Sequence, residues 1–174
     1  MPGGGPGRGD DGSKLRGLPP VFDAGARCLI LGSFPSPASL AAGQYYAHPQ
    51  NQFWRLLGDS LGEPLAELPY EDRLLRVRAR GIAIWDVYRA CRRDGALDSA
   101  IREAEGNTLD LLLERATGLR SVLFNGKTAA RSADRLTGRA LAIAVLPSSS
   151  PAYTLPFAEK LLAWRGAIVA ATRA

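Results

Sequence analysis

Two asparagines and a run of serines are the side chains best placed to do chemistry in this chain. Asn51 stands just before Phe53 and Trp54, and Asn125 ends the apolar part of RSVLFNG at 120–126. An amide is no effective general base at neutral pH, but its carbonyl can hold a water, and the group can donate and accept at once. Ser148, Ser149 and Ser150 lie between Pro147 and Pro151 in LPSSSPA at 146–152. Short hydroxyl and amide donors on a proline-stiffened loop suit phosphate oxygens. Each feature also has a plainer role: a helix N-cap for Asn51, an Asn-Gly turn for Asn125, and a Ser/Pro turn for the loop.

Other chemistries are poorly supplied. His48 is the only histidine, which excludes mechanisms needing a histidine pair, a two-histidine zinc site among them. Cys28 and Cys91 each sit inside an apolar run, so buried thiols are expected rather than a disulfide or metal framework. Lys127 is the one plausible nucleophilic amine, and it reads more simply as a phosphate contact or a solvated helix start. No metal and no cofactor is expected.

The elements that must position these residues follow from periodicity. RCLILGS (27–33), GIAIWDV (81–87), RSVLFNG (120–126) and LAIAVLPS (141–148) are short apolar runs ending in polar or turn residues, the pattern of buried parallel strands. Between them, Phe53, Trp54, Leu57 and Leu61 recur at helical spacing, as do Leu109, Leu112 and Leu113. Phe157, Leu161, Leu162, Trp164 and Ile168 repeat the pattern over 155–171. Alternating strands and helices predict an α/β fold: a single-domain three-layer α/β/α sandwich with a central four-stranded parallel sheet. Ligands of such sheets bind beyond the carboxyl ends of the strands, so the residues ending the four runs should converge.

The first run delivers a long loop, GSFPSPASLAAGQYYAHPQNQFW at 32–54, and long loops inside compact domains are usually functional. This segment resembles the first motif of the mismatch-specific uracil and thymine-DNA glycosylases, Gly-Ile-Asn-Pro-Gly followed by aromatic-x-x-Pro-x-Asn-x-Phe-Trp. It departs at one place: the Asn that positions the attacking water in those enzymes falls on Phe34, which cannot hydrogen-bond a water. With GSFPS at 32–36, YYAHPQNQFW at 45–54, WDV at 85–87, FNG at 124–126 and LPSSSPA at 146–152, the chain is similar to the hypoxanthine-DNA glycosylase branch of the uracil-DNA glycosylase superfamily over nearly all of residues 18–172.

The resemblance implies a monofunctional glycosylase that hydrolyses the N-glycosidic bond of a flipped deaminated base, hypoxanthine or uracil, in base excision repair. It makes Asn51 and Asn125 the catalytic pair. Tyr46 falls where the mismatch enzymes stack an aromatic on the base, with Ser33 and Phe34 completing the base pocket. LPSSSPA matches the superfamily's second motif, which enters the minor groove, so Ser148, Ser149, Ser150 and Pro151 would contact DNA. Uracil-specific members carry a catalytic His where this chain has Leu146. Trp85 reads as packed, and Asp86 as an alternative water-positioning carboxylate ranked below Asn51.

With 174 residues and 46% hydrophobic content the chain suits one domain. A net charge of +5 is compatible with an anionic partner without identifying one. The clusters Arg73, Arg76, Arg78, Arg80 and Arg89, Arg92, Arg93 read as solvated helix faces. Residues 1–17, rich in Gly and nearly free of large apolar side chains, are expected as a disordered tail ahead of a glycosylase domain at 18–174. No apolar stretch suits a membrane span or a signal peptide, so a cytoplasmic monomer acting on damaged DNA, with no membrane partner, is expected. Competing readings are a uracil-preferring enzyme, a damaged-DNA-binding module without catalysis, and a nucleoside hydrolase or nucleotide-binding protein. Against the last stands the lack of a Gly-rich phosphate fingerprint.

Overall fold

A computed structural model describes residues 14–173. The strands are β1 (Leu15–Arg16), β2 (Cys28–Gly32), β3 (Ile82–Asp86), β4 (Tyr88–Arg92), β5 (Arg102–Gly106), β6 (Ser121–Asn125) and β7 (Ala142–Leu146). The helices are α1 (Pro37–Ala42), α2 (Phe53–Leu61), α3 (Tyr70–Ala79), α4 (Leu109–Arg115), α5 (Lys127–Ala130) and α6 (Phe157–Thr172). The four apolar runs become the parallel sheet β3-β2-β6-β7. Gly32 pairs with Asp86 and Asn125 with Leu146, so the polar strand ends finish level with one another.

Every residue of β2, β3 and β6 is buried, which explains why these runs are continuously apolar: both faces of a parallel strand are covered. At the edge, β7 leaves Ile143 and Val145 exposed. Amphipathic α2 buries Phe53, Trp54, Leu56 and Leu57 and ends at Gly62, whose φ of 70° suits a residue without Cβ. It packs against α6, where Phe53 meets Trp164 edge-on with ring centroids 5.6 Å apart. Among the described residues, no helix is long and apolar enough to cross a membrane.

A second sheet, β1-β4-β5, was not legible in the sequence. YRACR and REAEG carry charges where a half-buried strand would alternate with apolar residues. Cross-strand ion pairs help hold it instead: Arg89 and Lys14 both meet Glu105, at 3.4 and 3.3 Å, and Arg92 meets Glu103. Because Leu15 and Arg16 pair with Cys91 and Ala90, ordered chain begins before residue 18. The rest of the expected tail, 1–13, lies outside the described residues. Arg89 and Arg92 are therefore strand residues facing glutamates rather than part of a helix face, whereas Arg73, Arg76 and Arg78 do lie on a largely solvated helix, α3.

Candidate active site

In the sheet order β3-β2-β6 the chain leaves β2 toward opposite neighbours, which opens a crevice at the carboxyl end of β2. The cavity there measures about 90 Å³. Gly32, Ser33 and Phe34 enter it from β2, Tyr46 and Asn51 from the loop before α2, and Asp86 from β3. Asn125 enters from β6, and Ser148, Ser149 and Ser150 from the loop after β7. Of the nine residues expected to catalyse, bind the base or contact DNA, only the exposed Pro151 stands outside the cavity wall, on the loop that borders it.

Asn51 is half-buried and caps the start of α2: its Oδ1 accepts from the Phe53 N–H at 3.0 Å. A carbonyl oxygen has a second lone pair, so this capping bond leaves Oδ1 able to hold a water. Asn125 is buried and spends its amide on neighbours. It donates to Ser149 Oγ at 2.9 Å and Tyr46 Oη at 3.2 Å, and accepts from the Ser149 N–H at 3.0 Å. Tyr46 stacks one face on Phe53, with centroids 3.8 Å apart, which leaves only its other face for a ligand. Its φ of 54° is the left-handed conformation uncommon for non-glycine residues. The neighbouring contacts that fix it include Trp54 donating to Tyr45 O at 3.0 Å and Tyr45 Oη donating to Pro19 O at 2.8 Å.

The serine loop is anchored from three sides. Gln52 N–H donates to Ser149 O at 3.0 Å, Trp164 Nε1 donates to Pro147 O at 2.9 Å, and Lys160 Nζ donates to Ser150 O at 3.3 Å and Gln52 Oε1 at 3.0 Å. Ser149 is thus an internal anchor, while Ser148 and Ser150 are half-buried. Lys160, buried and with its pKa lowered by desolvation, escaped the sequence reading because a lone Lys in a helix looks solvated. Lys160→Met keeps the packing but removes both hydrogen bonds. We expect the serine loop to loosen, with amide exchange at Ser149 and Ser150 faster by roughly tenfold, and little change in Tm because the desolvation of a buried charge is relieved. Hydrogen exchange and thermal melting check this.

Two further residues close the cavity. Asp98, in the connection between β4 and β5, accepts from Ser33 Oγ at 2.7 Å. Arg93 turns inward, donating to Pro35 O at 2.6 Å and lying over the Phe34 ring with Cζ 5.3 Å from its centroid. Asp86 is 4% exposed, and its Oδ2 has no hydrogen-bond partner among the described residues. Burial first, and then Asp98, push its pKa up to about 7, against a lowering pull from Arg93. The folded chain therefore holds a proton that the unfolded chain releases near pH ~4. This group's contribution to stability is fully present below that pH and is lost as pH rises through about 7. Both cysteines are buried and free, and burial pushes the Cys28 thiol up to about 12.

A parallel sheet with this cavity at its carboxyl ends defines a small polar site built from amides, hydroxyls, backbone and two carboxyls, Asp86 and Asp98. The chain belongs to the uracil DNA glycosylase superfamily, whose profile matches residues 19–168. Within it the chain falls in the hypoxanthine-DNA glycosylase branch. It is 38% identical over 151 residues to the hypoxanthine DNA glycosylase of Methanosarcina barkeri, covering 87% of this chain and 96% of the relative. Identity to the enzyme of that name from Methanosarcina acetivorans is 42% over 137 residues, 79% of this chain and 87% of the relative. The fold also matches the solution NMR structure of a Methanosarcina acetivorans protein assigned to the uracil DNA glycosylases, with a TM-score of 0.83 and 37% identity. That match covers 92% of this chain and all of the other. The protein is accordingly a DNA glycosylase in class.

Proposed function

We propose that this protein removes hypoxanthine from DNA by hydrolysing the N-glycosidic bond of an extruded deoxyinosine, and that it does so without a covalent intermediate. The observation that carries the reading is the meeting of Asn51 and Asn125 in one cavity, beside the Ser148–Pro151 loop. The relatives named hypoxanthine DNA glycosylase point to the same base.

A base must leave the stack to reach such a cavity. Tyr46 offers its free face to the ring, while Ser33 and Phe34 line the wall where backbone donors can meet a carbonyl oxygen. As the glycosidic bond stretches, positive charge gathers on the deoxyribose and negative charge on the base, as in sugar hydrolysis. The bonding pair leaves with the base. A water held by Asn51 Oδ1 then forms the new bond to C1′ and gives its proton to the departing base or to solvent. A sugar already this cationic needs a placed water more than a strong base. Asn125 holds Tyr46 and Ser149 in position around the base, and Ser148, Ser150 and Pro151 face the DNA backbone.

The test is excision from labelled oligonucleotides carrying hypoxanthine, uracil, xanthine, or thymine opposite guanine, followed by alkaline strand cleavage. Cleavage at hypoxanthine supports the assignment. Cleavage at uracil alone moves the enzyme to the other deaminated base, and tight binding with no cleavage makes it a damage-binding module. Binding to duplex DNA is expected to weaken more than about tenfold between roughly 50 and 200 mM salt, through counterion release. A flat response in a filter-binding titration would remove the phosphate contacts from the account.

A further inference from the structure

Asp86 lines the cavity and the mechanism above does not use it, and among the described residues it is the cavity-wall side chain with a buried, unpartnered oxygen. It ends β3, level with Gly32 on β2, and is nine-tenths or more buried, with Oδ2 unpartnered among the described residues. A buried polar atom without a partner carries a desolvation penalty and asks for an explanation. Gly32 is what admits the carboxyl: a Cβ there would lie 2.6 Å from Asp86 Oδ1 and 2.7 Å from Tyr46 Oη. The carboxyl and the ring that would stack the base are thereby brought to one corner of the cavity.

We propose that Asp86 is a specificity residue that reads the lactam edge of the extruded base as a neutral acid, its carbonyl accepting the ring N–H and its O–H donating to the adjacent ring oxygen. The proposal rests on the glycosylase reading of the site. A lactam presents a donor and an acceptor side by side, and a protonated carboxyl presents the complement in the same plane. A carboxylate could accept the N–H but would face the ring oxygen with a second lone-pair atom. It would also repel the negative charge that the base takes up as it leaves. The neutral acid's O–H meets that charge on the lactam oxygen, so the bond strengthens in the transition state. Adenine carries no oxygen on which the charge could gather.

The groups around Asp86 favour the neutral form. Asp98 faces it from the β4–β5 connection, Tyr45 and Tyr46 from the loop before α2, and Arg93 from the end of β4 as the one opposing cation among the described residues. β2 and β6 present Gly32 and Asn125, which do not titrate. Burial and these neighbours hold the pKa near 7, so the acid form is available at neutral and mildly acid pH.

Asp86→Asn keeps a donor and an acceptor but cannot ionise, which makes it the informative variant. Single-turnover excision of hypoxanthine by the wild type and by D86N is measured with enzyme in excess on both sides of pH 7. The wild-type rate is expected to fall about tenfold per pH unit above the pKa, while D86N stays active and flat across the same range. A wild-type rate that rises through this range, with D86N inactive though folded by circular dichroism, would make Asp86 a general base and overturn the proposal. Identical profiles for the two proteins would overturn it as well. If the wild type excises no base, the glycosylase reading fails by itself, and binding of free hypoxanthine then decides Asp86. Affinity lost above the pKa in the wild type alone supports the proposal, and matching curves overturn it.

Discussion

Asn51→Ala is expected to lower excision by about 10²–10³-fold, the scale on which losing one positioned polar group in a transition state is felt, while leaving DNA affinity within a few-fold. The side chain is half-buried at the mouth of α2 and makes one hydrogen bond to protein, the cap to Phe53 N–H. Losing that cap costs about 1 kcal/mol, too little to unfold a domain whose α2 is held by Phe53, Trp54, Leu56 and Leu57 in the core. Single-turnover kinetics, melting curves and DNA titration on the same preparation separate the outcomes. A variant that melts far below the wild type would make Asn51 chiefly a cap, and a folded, active variant would take the water from it.

Asn125→Ala is expected to damage both fold and activity. Its side chain makes three hydrogen bonds, to Tyr46 Oη, Ser149 Oγ and Ser149 N–H. Truncation leaves the buried Ser149 N–H without its acceptor, and an unmade buried hydrogen bond is felt at about 1–3 kcal/mol. We expect a Tm lower by roughly 5 °C and excision reduced by more than about 100-fold. Unlike Asn51→Ala, this variant should also bind DNA more weakly, because the same amide anchors the serine loop. Unchanged DNA binding and an unchanged Tm would show that the loop is held without it.

The contrast between these two residues shows what a sequence can carry. β2, β3, β6 and β7 were legible because a parallel strand covered on both faces must be continuously apolar, and the polar residue that ends each run marks where the carboxyl end lies. The small sheet was not, since β5 consists of Arg102, Glu103, Ala104, Glu105 and Gly106, with no apolar alternation to mark a strand. Asn51 and Asn125 could be placed because their motifs sit at strand and helix boundaries. Asp98, Arg93 and Lys160 could not, because their roles depend on a hairpin and a helix folding back over the cavity from 65, 58 and 108 residues away in the chain. Arg93 in particular sits in an arginine cluster whose neighbours Arg89 and Arg92 pair with surface glutamates, so nothing local marks it as the inward one. Asp86 was visible as a candidate carboxyl. Its missing hydrogen-bond partner is a fact of three dimensions.

The central claim, hydrolytic removal of hypoxanthine, is met most directly by incubating the protein with a deoxyinosine duplex and analysing both base and strand. The account predicts free hypoxanthine in the supernatant and a strand that breaks only after alkali, with both signals lost in Asn51→Ala. An intact base in a strand that survives alkali would contradict it, and so would strand scission without alkali, which would require an amine nucleophile that the cavity wall does not supply.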